Sequence, residues 1–202
     1  MSENEDIEFK AANQQGEELS TLKDYTGFAK VSYSNGDTYS GDFAEGLKNG
    51  HGIYTFKKGG KFEGNFENDK FEGKGKIVYD NGSYYHGYFK NGLKEGEGLY
   101  YYSNGDRYSG QWQKDLKNGQ GVYIKESNNM RLKGNWKNGI FHEGKWILSN
   151  GDFYEGKFEN EFPSGKGKWH RKNICVQGQY IQKQNEIQSK VDERILNQIY
   201  TP

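Results

Sequence analysis

Several residue types are scarce in this chain, and each shortage excludes a class of protein. The 202 residues include one cysteine, Cys175, so neither an intramolecular disulfide framework nor a cysteine metal cluster can form. No stretch approaches the roughly 20 apolar residues that a membrane-spanning helix needs, and residues 1–10 are too acidic for a signal peptide. We therefore expect a cytoplasmic protein.

Aliphatic side chains are also in short supply. Hydrophobic residues make up 32% of the chain and aromatic residues alone 16%, so rings must form a large part of any core. The 28 basic and 28 acidic residues cancel, but acids are concentrated in residues 1–24, which predicts a disordered acidic segment. No basic stripe follows it, so nucleic acid is not an expected partner.

A 23-residue repeat organises most of the chain. An aromatic residue, one spacer and a glycine recur, as in Tyr39-Ser40-Gly41 and again from Tyr85 to Gly87. A fixed period of this length predicts an array of small units stacked side by side, each stabilised by its neighbours. The glycines that mark the six full units, and to which we assign a structural role, are Gly41, Gly64, Gly87, Gly110, Gly134 and Gly156.

Each unit has the pattern of a β-hairpin. Around Gly41, the rings of Tyr39 and Phe43 alternate with polar residues, and this period of two indicates a strand with one packed face. A second glycine-containing strand follows, and pairs such as Asn35-Gly36 predict tight type I′ turns between units. The expected fold is all-β: an elongated, single-layer antiparallel sheet of stacked hairpins over residues 25–180, with partial repeats at both ends.

The last residues, 181–202, change in character. Ile187, Val191 and Ile195 are spaced four apart, which predicts a C-terminal helix. We expect this helix to cap the last strand, and a docking segment for a partner is the alternative role. The open edges of the sheet would also allow arrays to associate with one another.

Two surfaces are candidate partner-binding sites. The ring face would form a groove if its rings were accessible, but the same rings would form a core if they packed on one another; its central members are Tyr85, Phe89, Tyr108, Trp112 and Trp136. The opposite face should be polar, yet it carries a second apolar set: Leu99, Tyr101, Val122 and Ile124. A contiguous apolar strip would indicate an interface, whereas β propensity alone also explains such residues.

No residue pattern points to catalysis. The four histidines are scattered, and runs such as Gly73-Lys74-Gly75-Lys76 lack the spacing of a phosphate-binding loop. We therefore expect no catalytic residues, no cofactor and no metal site, and we predict that the protein is not an enzyme.

The repeat resembles the MORN family, named for membrane occupation and recognition nexus. The family pattern is Tyr-x-Gly-x-Phe/Trp-x-x-Gly-x-x-x-Gly-x-Gly, and the first unit matches it with Gly41, Phe43, Gly46, Gly50 and Gly52. The second unit departs from it, with Asp69 in place of one glycine. The resemblance covers about residues 27–180 and implies a single-sheet array without enzymatic activity.

The irregularities between units are similar to those of radial spoke head proteins of motile cilia and flagella. One residue is inserted within 126–131, one is deleted within 141–144, and Cys175 precedes Gly178-Gln179-Tyr180. This resemblance implies a structural subunit in the axoneme, with other spoke-head proteins and the central pair apparatus as partners. The alternative is a membrane-tethering module that binds acidic phospholipids. We rank membrane binding second, because acidic residues stand among the lysines of residues 57–76 and weaken their positive field.

Overall fold

The computed structural model describes residues 9–180, which form one antiparallel sheet of 16 strands. From the third strand onward, each strand pairs with the next one along the chain, so successive hairpins lie side by side. The strands are β1 (Phe9–Asn13), β2 (Glu18–Leu19), β3 (Gly27–Tyr33), β4 (Thr38–Ala44), β5 (Leu47–Thr55), β6 (Gly60–Glu67), β7 (Lys70–Tyr79), β8 (Tyr84–Lys90), β9 (Leu93–Tyr101), β10 (Arg107–Gln113), β11 (Leu116–Lys125), β12 (Met130–Lys137), β13 (Ile140–Ile147), β14 (Phe153–Glu159), β15 (Phe162–Arg171) and β16 (Ile174–Tyr180).

The fold class needs one correction. The stacked antiparallel hairpins are confirmed, but none of residues 9–180 is helical, so the fold is an all-β sheet without the predicted helix. The segment for which the helix was predicted, 183–199, lies outside the described residues. Its four-residue spacing of apolar side chains was too short a signal to establish a helix.

The prediction of disorder over residues 1–24 is wrong for the part that the structure describes. β1 pairs with β3 along five residues, and β2 pairs with the other side of β1. Ala11 is buried opposite Val31, so this strand covers the edge that β3 would otherwise expose. The acidic composition gave no sign of this short strand, because the strand buries only one apolar side chain, Ala11. Residues 1–8 lie outside the described residues.

The turn within each unit differs from the loop between units. The sequence analysis predicted the type I′ turn for the loop between units, and this assignment is wrong. The turn within a unit is the type I′ turn, because both of its central residues have positive φ, as in Asn68 (47°) and Asp69 (67°). The Asn35-Gly36 loop between units has a positive φ only at Gly36, and the hydrogen bond from the Tyr33 N–H to the Asp37 carbonyl encloses three residues. The Asn35 side chain accepts a 2.8 Å hydrogen bond from the Asp37 N–H, which fixes this alternative loop.

A continuous row of glycines crosses the sheet. Gly64 lies opposite Gly52 on one side and Gly75 on the other, and the same pairing repeats from β4 to β16. The ring of Phe62 covers two of these positions: an added Cβ would lie 2.8 Å from Phe62 Cζ at Gly64 and 2.6 Å from it at Gly75. The glycines are required because the rings lie flat against the backbone there.

The rings pack edge to face along the array. The Tyr39 ring contacts Phe43 of its own strand at 5.2 Å and 89°, and Phe66 of the next unit at 5.0 Å and 80°. The same pair of contacts recurs at Phe62, Tyr85 and Tyr108. Each such contact contributes about 0.5–1.5 kcal/mol beyond the burial of area. The core of this sheet is therefore a row of rings that binds each unit to the next.

The fifth unit breaks the regular pattern at three points. Leu132 replaces the first ring, so the ring contacts pass from Trp136 through Phe141 to Phe158. The deleted residue shortens the bulge between β12 and β13, where the register shifts between Asn135 and Trp136. The inserted residue falls in the loop between β11 and β12.

We predict that Gly75→Ala destabilises the array while Gly178→Ala does not. Both glycines belong to the same row, but a Cβ at position 75 collides with the Phe62 ring, and a Cβ at position 178 has no heavy atom within 4 Å. Overpacking of this kind costs about 1–3 kcal/mol. Denaturant unfolding of the two variants measures the difference; equal stabilities would contradict the role assigned to the glycine row.

Candidate interaction surfaces

The predicted groove on the ring face is absent at the residues named for it. Tyr85, Phe89, Tyr108, Trp112 and Trp136 are only 0–6% exposed, and each contacts the rings of its neighbours. Of the two interpretations left open by the sequence, packing into a core is the one that fits these contacts. These five side chains offer almost no surface to a partner.

Hydroxyl groups reinforce this core. The Oη of Tyr85 donates a 3.0 Å hydrogen bond to the backbone carbonyl of Tyr88, three residues ahead, and Tyr39 and Tyr108 make the equivalent bond. Burial raises the pKa of each of these three phenols, so they remain neutral donors at physiological pH. In these three units the bond fixes the bulge that follows Gly41, Gly87 and Gly110.

The second candidate set lies on the outer face, where it is partly exposed. On β10, Ser109 lies between Leu99 and Val122, and Arg107 lies between Tyr101 and Ile124. The patch therefore has apolar residues on its two outer strands and polar residues on its central strand. The members are Leu99 and Tyr101 on β9, and Val122 and Ile124 on β11. The structure thus brings all four together across three adjacent strands.

The apolar character of the outer face extends beyond these four residues. Tyr84 lies opposite Tyr101 and stacks on it with a centroid separation of 4.6 Å, and the ammonium of Lys76 lies 4.8 Å from the Tyr84 ring. Near the other end, Phe153 stacks on His170 at 4.3 Å. These contacts leave the ring edges accessible, and no second layer covers them within residues 9–180.

Sequence reasoning missed a group of lysines that lie among the rings. The ammonium of Lys94 lies 5.3 Å from the Trp112 ring and 5.6 Å from Tyr100, and Lys48 and Lys117 occupy the same place in their units. Their common offset, seven residues after the marker glycine, was a detectable signal. Cation–π contacts of this kind attract an ammonium group to the faces of the rings.

Two aspartates join neighbouring units through the loops. Asp106 accepts hydrogen bonds from the Tyr123 hydroxyl and from the Glu126 N–H, the latter at 2.9 Å. Burial raises the pKa of Asp106, but these hydrogen bonds outweigh it and hold the pKa below its usual value. Asp37 has the equivalent partners, Tyr54 at 2.6 Å and the Lys57 N–H at 2.9 Å. These contacts are structural rather than catalytic.

Residues 9–180 carry neither a metal-binding cluster nor a membrane-spanning helix. That part of the chain holds no cluster of three or more His, Cys, Asp or Glu side chains arranged to bind a metal ion. It also holds no helix long and apolar enough to cross a bilayer.

Comparison with known proteins identifies the repeat. The family model for the MORN repeat matches residues 39–61, 62–84, 85–107, 108–130 and 154–173, more than half of the chain. The unmatched stretch between them is the irregular fifth unit. Among solved structures, the SAS-4 (dCPAP) TCP domain of Drosophila melanogaster, in complex with a proline-rich motif of Ana2 (dSTIL), is similar at 14% identity over 72% of each chain, with a TM-score of 0.35. No curated protein matches the chain.

We predict that Asp106→Asn lowers the free energy of unfolding at neutral pH. The variant should also lose less of this free energy than the wild type when the pH is lowered. The pKa of Asp106 is depressed in the folded state, so its stabilising contribution is present above the unfolded value of about 3.9 and is lost as pH falls through the folded pKa. Unfolding midpoints measured between pH 7 and pH 2 test this. The exposed Asp80, changed to Asn, is the control and should leave the profile unchanged.

Proposed function

Because the chain belongs to the MORN repeat family, we propose that it is a non-enzymatic scaffold that acts through protein–protein contacts. The observation that supports this most is the partly exposed apolar outer face, centred on β9 to β11, in a sheet that has no second layer over residues 9–180. Sixteen strands at about 4.8 Å spacing give a platform about 70 Å long, enough for several partners. Exposed apolar patches of this kind mark interaction sites.

More specifically, we propose that the protein is a radial spoke head subunit, similar to radial spoke head protein 1. The support is the order of its irregularities: the inserted residue between β11 and β12, the shortened bulge in β13, and Cys175 before Gly178-Gln179-Tyr180. Regular repeats are shared by every array of this class, whereas irregular ones distinguish members. Its partners would then be other spoke-head proteins and the central pair apparatus, in the axoneme of a cilium or flagellum.

Localisation tests the ciliary part of this proposal. A tagged copy expressed in a ciliated cell should give an axonemal signal that survives detergent extraction, because a spoke subunit is held by protein contacts and not by membrane. A signal that is diffuse, or that detergent removes, would contradict the assignment.

Membrane tethering is the second candidate, and one feature favours it. Lys133, Lys145 and Lys168 lie in one row of the outer face, where they could meet anionic headgroups. Glu155 stands between two of them, however, and lies 3.9 Å from Lys145, which weakens the field. Sedimentation with phosphatidylserine vesicles separates the candidates: salt-sensitive binding would support tethering, and its absence would support the protein scaffold.

We predict that the double variant Leu99→Lys, Ile124→Lys folds normally but loses its spoke-head partners. Two buried apolar anchors at an interface contribute several kcal/mol, so recovery of spoke-head proteins with the tagged variant should fall at least about tenfold. The circular dichroism spectrum should not change, since both side chains are on the outer face. Thr38→Lys with Ser40→Lys occupies the same two rows on β4 and serves as the control. Undiminished recovery with the first variant would overturn the docking patch.

A further inference from the structure

Three units place a lysine in the same position beside the ring core. Lys48, Lys94 and Lys117 each stand second after the type I′ turn of their hairpin, with the ammonium over aromatic rings. For Lys117 the nearest ring is Trp136, at 4.3 Å, with Tyr123 at 5.3 Å. The three sites are therefore internal copies of one another, and their differences can be compared directly.

Two of the three lysines are paired with a carboxylate from the turn of the following unit. Asp69 Oδ1 accepts a 3.0 Å hydrogen bond from the Lys48 N–H and lies 2.9 Å from its Nζ. Asp115 Oδ1 makes the same two contacts with Lys94, at 2.9 and 3.4 Å. One carboxylate oxygen thus satisfies both donors of a single lysine residue.

The third site keeps the backbone geometry without the carboxylate. The N–H of Gly139 donates to the Lys117 carbonyl at 2.8 Å, as the N–H of Asp69 does to Lys48 at 3.0 Å. Glycine carries no side chain, and Lys117 forms no ion pair with any residue in the range 9–180. Burial lowers the pKa of Lys117, and the charge of Glu161 only partly opposes this. The two donors of Lys117 therefore point to a position that another carboxylate fills in the sister sites.

That position is open to solvent. Where the carboxylate comes from the chain itself, the side chains of Asp69 and Asp115 are 43% and 42% exposed, while those of Lys48 and Lys94 are only 17% and 13% exposed. The lysine is thus deep and its partner lies at the rim. An acidic group from another molecule can reach the rim at Lys117 without any rearrangement of the sheet.

We propose that Lys117 is a docking point for an Asp or Glu side chain of a partner protein. The carboxylate would accept hydrogen bonds from the Lys117 N–H and its ammonium, with the geometry that the chain shows twice within itself. Charge-assisted hydrogen bonds in a partly desolvated site are stronger than those made in water. The inference rests on the proposed role as a protein-binding scaffold, and it gives that role a specific anchor.

A substitution in the following turn can supply the carboxylate from within the chain. Gly139 has φ +86°, a left-handed conformation that aspartate adopts at Asp69, and a Cβ there meets only Leu116 Cδ2 at 3.9 Å. Gly139→Asp should therefore pair with Lys117 and block the site. Gly92→Asp is the matched control, because Gly92 has the same φ and an unobstructed Cβ, but its turn faces Phe71 instead of a lysine.

The test is an NMR titration of the isotope-labelled full chain with N-acetyl-aspartate amide. We expect a saturable shift of the Lys117 amide signal in the wild type and in Gly92→Asp, at least fivefold larger than in Gly139→Asp. N-acetyl-asparagine amide, which has the same shape without the charge, should give no such shift. No shift with the acid, or equal shifts with acid and amide, would overturn the proposal.

A second arm distinguishes a protein partner from a lipid headgroup. Inorganic phosphate, titrated in the same way, should bind Lys117 more weakly than the aspartate derivative; stronger binding of phosphate would overturn the assignment to a protein carboxylate. The assay uses the isolated chain and contains no ciliary component. A failure here would therefore leave the Leu99 and Ile124 test of the scaffold role unaffected.

Discussion

The contact of an aromatic ring with a glycine backbone is the constraint on which the rest of this molecule depends. A single sheet has no second layer to cover its apolar side chains, so it must bury them within its own face. Rings lying flat over Gly64 and Gly75, and their counterparts in other units, achieve this because no Cβ keeps the ring away from the backbone. Each ring then contacts rings before and after it, so stability belongs to the array and not to any one hairpin.

This arrangement separates the two faces by function. The ring face is closed by its own packing, and its rings are among the least exposed side chains of residues 9–180. The outer face has local stacking and ion pairs but no ring core. Leu99 and Ile124 lie outside the buried core, which makes them more informative about partners than Trp112, although the tryptophan is the more conspicuous residue.

The sequence was sufficient for the repeating hairpins and the way in which they stack. The glycine period and the alternation of rings predicted the hairpins, their stacking and the single layer, because local geometry and packing are the same in each unit. It was insufficient where one contact decides the outcome. In the acidic N-terminal segment, β1 forms because Ala11 packs beside Val31. The Asn35-Gly36 loop is not the predicted type I′ turn, because the Asn35 side chain accepts a hydrogen bond from the Asp37 N–H. The first contact has no periodic signal; the second recurs at Asn81, Asn104 and Asn150, but Asn-Gly pairs also favour the type I′ turn that was predicted.

The irregular fifth unit is where these features meet. It is the one interior unit that the family model does not match, it replaces a ring with Leu132, and it offers Gly139 where the second and fourth units have an aspartate turn. Together these departures remove a ring contact and leave Lys117, on the ring face, without the carboxylate that Lys48 and Lys94 have. Trp136 still contacts Tyr108 and Phe141, so the ring row continues through this unit. What the unit lacks is the carboxylate that Asp69 and Asp115 supply in the sister sites, and the proposed partner would supply it from outside.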